Sequence, residues 1–348
     1  GNQALQKWDD KKAVARDPSA LEKYRTMLAE QIQYFKVTQY FFFKQWTELK
    51  NYANQKGIQI IGDMPIYVAA DSVEVWTKPE LFQLDEERNP LFVAGVPADQ
   101  FSATGQLWGN PLYAWEEHKK QGYAWWIHRI EESFKIYDVL RIDHFKGFSD
   151  YWQVDGKAEV AKDGSWQPGP GYDLFKAVKE QLGDLPIIAE DLGNIDDKAR
   201  KLLTDCNYPG MKILQFGFED VSGESLDSPH YCIPHSIVYT GTHDNDVTNG
   251  WYNSLTEQQQ QYINDYTHRH EDESICQAMI RQLFATVSNT AIATMQDVLD
   301  LPASSRMNVP STIGGNWQWR MQQSDLTQDK KDFLEKMTTL YQRANQEK

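Results

Sequence analysis

The chain has 348 residues and a mass of 40.3 kDa, and its 41% hydrophobic content is enough for a large buried core and excludes a disordered polymer. Fifty acidic residues against 35 basic ones leave a formal charge of −15, which disfavours nucleic acid and anionic membranes and leaves neutral ligands open. No apolar run approaches the roughly 18 residues of a membrane span, and the N-terminus has no signal-peptide core. Cys206, Cys232 and Cys276 are widely spaced and odd in number, which argues against a disulfide framework or a cysteine zinc site and favours a reducing compartment. The length fits one large α/β unit or two ordinary domains.

Residues 19–56 read as helix, with one face through Leu28, Ile32, Phe35 and Gln39 and a second through Phe42, Trp46 and Leu49; Gly57 is a stop. IQIIGD at 58–63 is the first buried strand. Residues 64–115 hold no lasting period and carry Pro65, Pro79, Pro90, Pro97 and Pro111, so they read as a long rim loop region with a functional purpose. Helix returns near 115–134 and is followed by the strand VLRID at 139–143. Residues 150–172 read as an excursion with a small hairpin, and 174–183 as a helix ending at Gly183. PIIAED at 186–191 is a strand, 195–206 its helix, and MKILQFGF at 211–218 another strand. IVYTGTHD at 237–244 follows, then helices across 256–287, a strand at 291–296 and a helical tail at 330–345.

Helices alternating with short apolar runs imply βα repetition and a parallel sheet. The count is six strands, whereas a closed (β/α)₈ TIM barrel needs eight. Acids at the ends of several different strands suit a barrel rim better than an open sheet, so the expected fold is such a barrel lacking its first two strands. On this expectation the chain is the C-terminal major part of the barrel, and a separate N-terminal segment is a candidate partner.

Three apolar runs end in acid, at Asp143, Glu190 and Asp244. A single Asp at a strand end is ordinarily a helix cap or loop ligand; three in similar settings carry more. Arg141 and Asp143 lie two residues apart and point the same way on a strand, so Arg141 can orient Asp143 and keep it ionised. Exchange of a glycosidic bond needs one ionised carboxylate to attack and one protonated acid to assist departure, which acids in different surroundings supply. The rival reading is a divalent ion held by His144, His243, Asp143 and Asp244, for which no H-E-x-x-H or equivalent spacing exists. The bland role of His144 is a hydrogen bond to the rim. Asp63 is a rim-loop residue or a helix cap. No dinucleotide, Walker or calcium-loop motif is present, and no cofactor is expected.

Across about residues 31–321 the chain resembles glycoside hydrolase family 77, the 4-α-glucanotransferases of the amylomaltase type. The resemblance rests on IIGDMPIYVAADSVEVW (60–76), GVPADQFSATGQLWGNPLY (95–113), LRIDHFKGF (140–148), IIAEDLG (187–193), TGTHDND (240–246) and RMNVPSTIGGNWQWRM (306–321), in this order. It implies a retaining transfer of α-1,4-glucan segments between maltooligosaccharides, with Asp143 as nucleophile, Glu190 as general acid/base and Asp244 gripping the sugar hydroxyls. It also implies that Arg141 and His243 support the sugar site. Trp108, with Gly105, Gln106 and Asn110, belongs by the same likeness to a segment over the acceptor side, where Phe101, Leu107 and Tyr113 add apolar surface. Asn316 and Trp317 fall in a matched motif as substrate contacts or rim packing. The family begins with some hundred further residues, so the alternatives are an amylase-type hydrolase or an inactive glucan-binding fragment. Maltooligosaccharide or starch-derived substrates and a cytoplasmic (or, in plants, plastidic) setting follow from the same likeness.

Overall fold

The computed structural model describes residues 3–98, 104–193 and 195–344. The chain divides into two compact units, Gly1–Tyr208 and Pro209–Lys348.

The strands of the first unit are β1 (Ile61–Met64), β2 (Phe92–Val96), β3 (Gln106–Pro111), β4 (Val139–Ile142), β5 (Asp150–Asp155), β6 (Ser165–Pro168) and β7 (Ile187–Ala189). β1, β4 and β7 form a parallel sheet with β4 central, in register Ile61↔Val139 and Leu140↔Ile187. Apart from Arg141, β4 and β7 are uninterruptedly apolar and largely buried, as strands covered on both faces must be. Their side chains join Trp126, Ile130, Phe145, Phe148 and Phe175 in one core. Gly62 is required on β1 because a Cβ there would meet the Tyr137 ring at 2.1 Å. The aperiodic stretch 64–115 and the excursion 150–172 prove to be partners. β2 and β3 from the former pair with β5 and β6 from the latter in one antiparallel sheet, order β3-β2-β5-β6, whose pleat alternates too briefly to register as a period.

The expected helix at 19–56 is two helices. Asp17 caps Pro18–Met27, and Ala29–Gln55 follows a break at Leu28. The second helix has no buried residue: Phe35, Phe42 and Leu49 are about half or more exposed. It is held instead by polar hooks, Trp46 Nε1 donating to the Ile136 carbonyl and Lys50 Nζ to the Tyr137 carbonyl beside its ion pair with Asp138.

The second unit has β8 (Gly210–Ile213), β9 (Ser236–Tyr239) and β10 (Thr290–Ile292) in a parallel sheet with β9 central. The run at 211–218 leaves the strand at Ile213 and turns helical over Leu214–Gly217, and that at 291–296 ends at Ile292 before a helix at Met295–Val298. The helical span 256–287 resolves into Glu257–Thr267 and Ile275–Ala285, each opened by a reciprocal capping box, Thr256 with Gln259 and Ser274 with Gln277.

The expected barrel is not formed. The six parallel strands fall at the predicted runs, but they lie in two separate open sheets of three, β1-β4-β7 and β10-β9-β8. Closure requires every strand to be hydrogen-bonded on both sides, and among the described residues β1, β7, β8 and β10 each pair on one side only. Strand periodicity reports which segments are buried strands; it carries no information on whether the end strands meet. No helix among the described residues is long and apolar enough to cross a membrane.

Candidate active site

In the first unit the sheet brings four of the expected residues together. Asp63 on β1 and Arg141 on β4 are register partners, and Asp143 follows β4 on the same side as Arg141. Arg141 Nη1 donates to Asp63 Oδ1 at 2.6 Å and to Asp143 Oδ1 at 2.9 Å. The guanidinium side chain is 9% exposed, whereas the two carboxylates are 42% and 41% exposed, so a buried cation backs two acids that remain open to a ligand. Burial alone would lower the Arg141 pKa, but the charges of Asp63 and Asp143 outweigh it and raise it. Asp63 caps none of the described helices; it shares the arginine of Asp143.

Glu190 follows β7 and lies level with Asp143, since Ile142 and Ala189 are register partners. His144 adopts a left-handed backbone (φ 48°), which aims its N–H at Glu190 Oε2 at 2.8 Å; Leu192 N–H donates to Oε1 at 2.7 Å. Burial, then the charge of Asp143, pushes Glu190 up to about 7, against the lowering effects of Arg141 and the two amides. Burial also holds His144 down at about 4, so its ring is neutral near pH 7. The two carboxyls thus differ in kind. One is paired to a guanidinium; the other is poised to hold a proton near neutral pH.

Around them, the Trp108 ring stands edge-on to His144 at 4.9 Å and keeps about a third of its surface exposed, with its Nε1 donating to Gln106 Oε1. Asn110, on β3, ties that strand to the segment after β1, its Nδ2 donating to the Val68 carbonyl at 2.9 Å. Gly105 takes φ +68° where a Cβ would strike the Val96 carbonyl oxygen. Tyr113 is not an apolar contact surface: it is buried, with its hydroxyl donating to the Ile66 carbonyl. Phe101 lies outside the described residues.

In the second unit, residues 240–248 form a loop after β9 that carries His243 and Asp244. The buried Asp297 carboxylate closes it at both ends, accepting from Thr240 Oγ1 at 2.7 Å and from Thr248 N–H at 2.8 Å. Buried Gln215 adds a third tie to the Asp246 carbonyl. Replacing Asp297 with Ala leaves the Thr240 hydroxyl and the Thr248 amide unpaired in the interior. We expect a loss of about 3–5 kcal/mol in chemical denaturation; a loss under about 1 kcal/mol would contradict the tie. At the loop's tip Asp244 Oδ1 accepts from Asn308 Nδ2 at 2.6 Å, and Oδ2 lies 3.3 Å from His243 Nε2. The His243 ring meets Trp317 at 5.1 Å. Asn316 is spent on its own turn, accepting from Val309 N–H and donating to Thr312. Arg306 and Asn308 were legible only as part of a matched motif. Their pairing with Asp244 spans more than sixty residues, and no local spacing announces it.

An arginine-paired aspartate and a buried glutamate at adjacent parallel strand ends suit a class: enzymes that break and remake glycosidic bonds. Comparison with known proteins gives the particular family. The family described as 4-alpha-glucanotransferase, Glyco_hydro_77, matches residues 1–327. The chain is 52% identical over 346 residues to the 4-alpha-glucanotransferase of Streptococcus pneumoniae, covering 99% of this chain and 68% of that protein. It is 43% identical to that of Clostridium butyricum over 333 residues, 94% of this chain and 68% of that protein. Among solved structures it is similar to amylomaltase from Streptococcus agalactiae in complex with acarbose, with a TM-score of 0.97 and 59% identity over 99% of this chain and 70% of that one. The chain belongs to glycoside hydrolase family 77. It is an enzyme, a 4-alpha-glucanotransferase, and its substrates are maltooligosaccharides and related glucans.

Proposed function

We propose that transfer runs by retaining double displacement, with Asp143 as nucleophile and Glu190 as acid/base. The observation that carries this reading is the pairing of an arginine-backed Asp143 with a Glu190 pushed up to about 7 on the neighbouring strand end. Asp143 attacks the anomeric carbon while the Glu190 proton passes to the departing glycosidic oxygen, leaving a β-linked glycosyl–Asp143 ester. Glu190, now ionised, takes the proton of an acceptor's 4-hydroxyl. That oxygen displaces Asp143 and the α-linkage is restored.

Asp244 grips hydroxyls of the transferred sugar, with His243 beside it. Arg141 acts through Asp143. The exposed faces of Trp108 and Trp317 offer flat apolar surface for sugar rings, and Asn110 and Asn316 are further substrate contacts whose amides also tie neighbouring segments together. Three free thiols support a reducing, cytoplasmic setting.

Incubation with maltotriose alone tests the reading. We expect glucose together with maltopentaose and longer chains, with little net gain in reducing ends. Products that only shorten, each cut adding one reducing end, would mean that water is the acceptor and would overturn it.

A further inference from the structure

We propose that Asn308 is a positioning residue for glucan transfer: its side-chain amide, locked in place by Arg306, fixes the carboxylate of Asp244 for the transferred sugar. This rests on the reading of Asp244 given above. The geometry is a three-part clamp. Arg306 Nε donates to the Asn308 carbonyl at 2.8 Å and its Nη2 donates to the Asp244 carbonyl at 2.7 Å, so one guanidinium ties the two backbones together. Asn308 Nδ2 then reaches Asp244 Oδ1 at 2.6 Å, and His243 Nε2 stands 3.3 Å from Oδ2. Asn308 thus engages Oδ1 directly while His243 stands close to Oδ2, which orients the carboxylate plane and leaves acceptor capacity for a sugar hydroxyl.

The segment that bears Asn308 is itself braced. Trp317 N–H donates to the Met307 carbonyl at 2.7 Å and Asn316 Oδ1 accepts from Val309 N–H, so residues 307–317 close on themselves. The turn is completed by Gly314 and Gly315 at φ +84° and +76°. The amide is thus delivered to Asp244 by a closed loop rather than by a free chain, and little ordering remains to be done when sugar binds. Because Asp244 is nearly half exposed, the hydrogen bond adds little to stability; its effect is on orientation.

The test uses Asn308→Ala, Asn308→Asp and Asp244→Asn in the full chain, with maltotriose transfer measured across pH. Asn308→Asp keeps the side-chain volume and replaces the donor by a second carboxylate. The charged or titratable groups facing it are Asp244 on Oδ1, His243 across Asp244, and the Arg306 guanidinium on its own carbonyl. We expect both Asn308 variants to lower kcat about tenfold or more near neutral pH, with melting temperatures unchanged. Relative to wild type, Asn308→Asp should recover as the pH falls through the carboxylate range, because the introduced carboxyl, once protonated, donates again; Asn308→Ala should not. Wild-type kcat in both variants, or a loss in Asn308→Asp that ignores pH, would show that Asn308 only supports the loop. Full activity in Asp244→Asn would instead overturn the role of Asp244 itself.

Discussion

Asp143→Ala is expected to abolish transfer, lowering kcat/KM for maltotriose by about 10⁴-fold or more. The reason lies in the proposed chemistry: with Asp143 as nucleophile, removing its carboxylate prevents the covalent intermediate, and water or acceptor must attack a far less activated centre. The fold should survive, since Asp143 is about two-fifths exposed and Arg141 keeps its 2.6 Å bond to Asp63. The substitution also removes the negative charge that helps raise Glu190, so Glu190 in the variant should titrate lower. Kinetics on maltotriose, with a melting curve as control, checks the first point; retention of more than about 1% of activity in a folded, uncontaminated variant would remove Asp143 from the nucleophile's role.

Glu190→Gln is expected to lower kcat/KM by about 10²–10⁴-fold and to erase the alkaline limb of the pH profile. In the proposed mechanism Glu190 carries its proton into the first step, and burial pushes it from 4.5 up to about 7. Activity of the free enzyme should therefore fall as pH rises through about 7, and this fall should be missing from the residual activity of the glutamine variant. Stability follows the same proton. The folded state binds it more tightly than the unfolded chain, so the contribution is fully present below about 4.5 and is lost as pH rises to about 7. Denaturation of wild type against Glu190→Gln across that window should show wild-type stability falling relative to the variant and levelling off above it. An alkaline limb that persists unchanged in the variant would assign it to another group.

How much of this was legible in the sequence differs by level. The strand-end acids were readable because a strand buried on both faces is an unbroken apolar run, and a charge at its end marks where the burial stops. The Arg141–Asp143 pair was readable from a separation of two. The fate of Asp63 was not, because its partner is decided by the β1/β4 register, a long-range pairing that no local period encodes. The same holds for Asn308, Arg306 and Asp297, which reach the Asp244 loop from more than forty residues away. The antiparallel sheet was missed for a related reason. Its two halves are separated by the helices and strand between residues 111 and 150; the β5/β6 hairpin was legible within 150–172, but the β2/β3 half looks like an irregular loop, and its pairing with β5 is long-range. The closed barrel was an inference from strand order to topology. It failed because edge pairing, not strand identity, decides closure.

The proposed mechanism is tested most directly by trapping the intermediate. The Glu190→Gln enzyme is incubated with α-maltotriosyl fluoride, whose fluoride departs without needing a proton, and the glycosyl-enzyme is then digested and mapped by mass spectrometry. A maltotriosyl adduct on Asp143, within LRIDHFKGF at 140–148, is the predicted result. An adduct on Asp63 or Asp244, or turnover of the fluoride with inversion and no adduct, would contradict it.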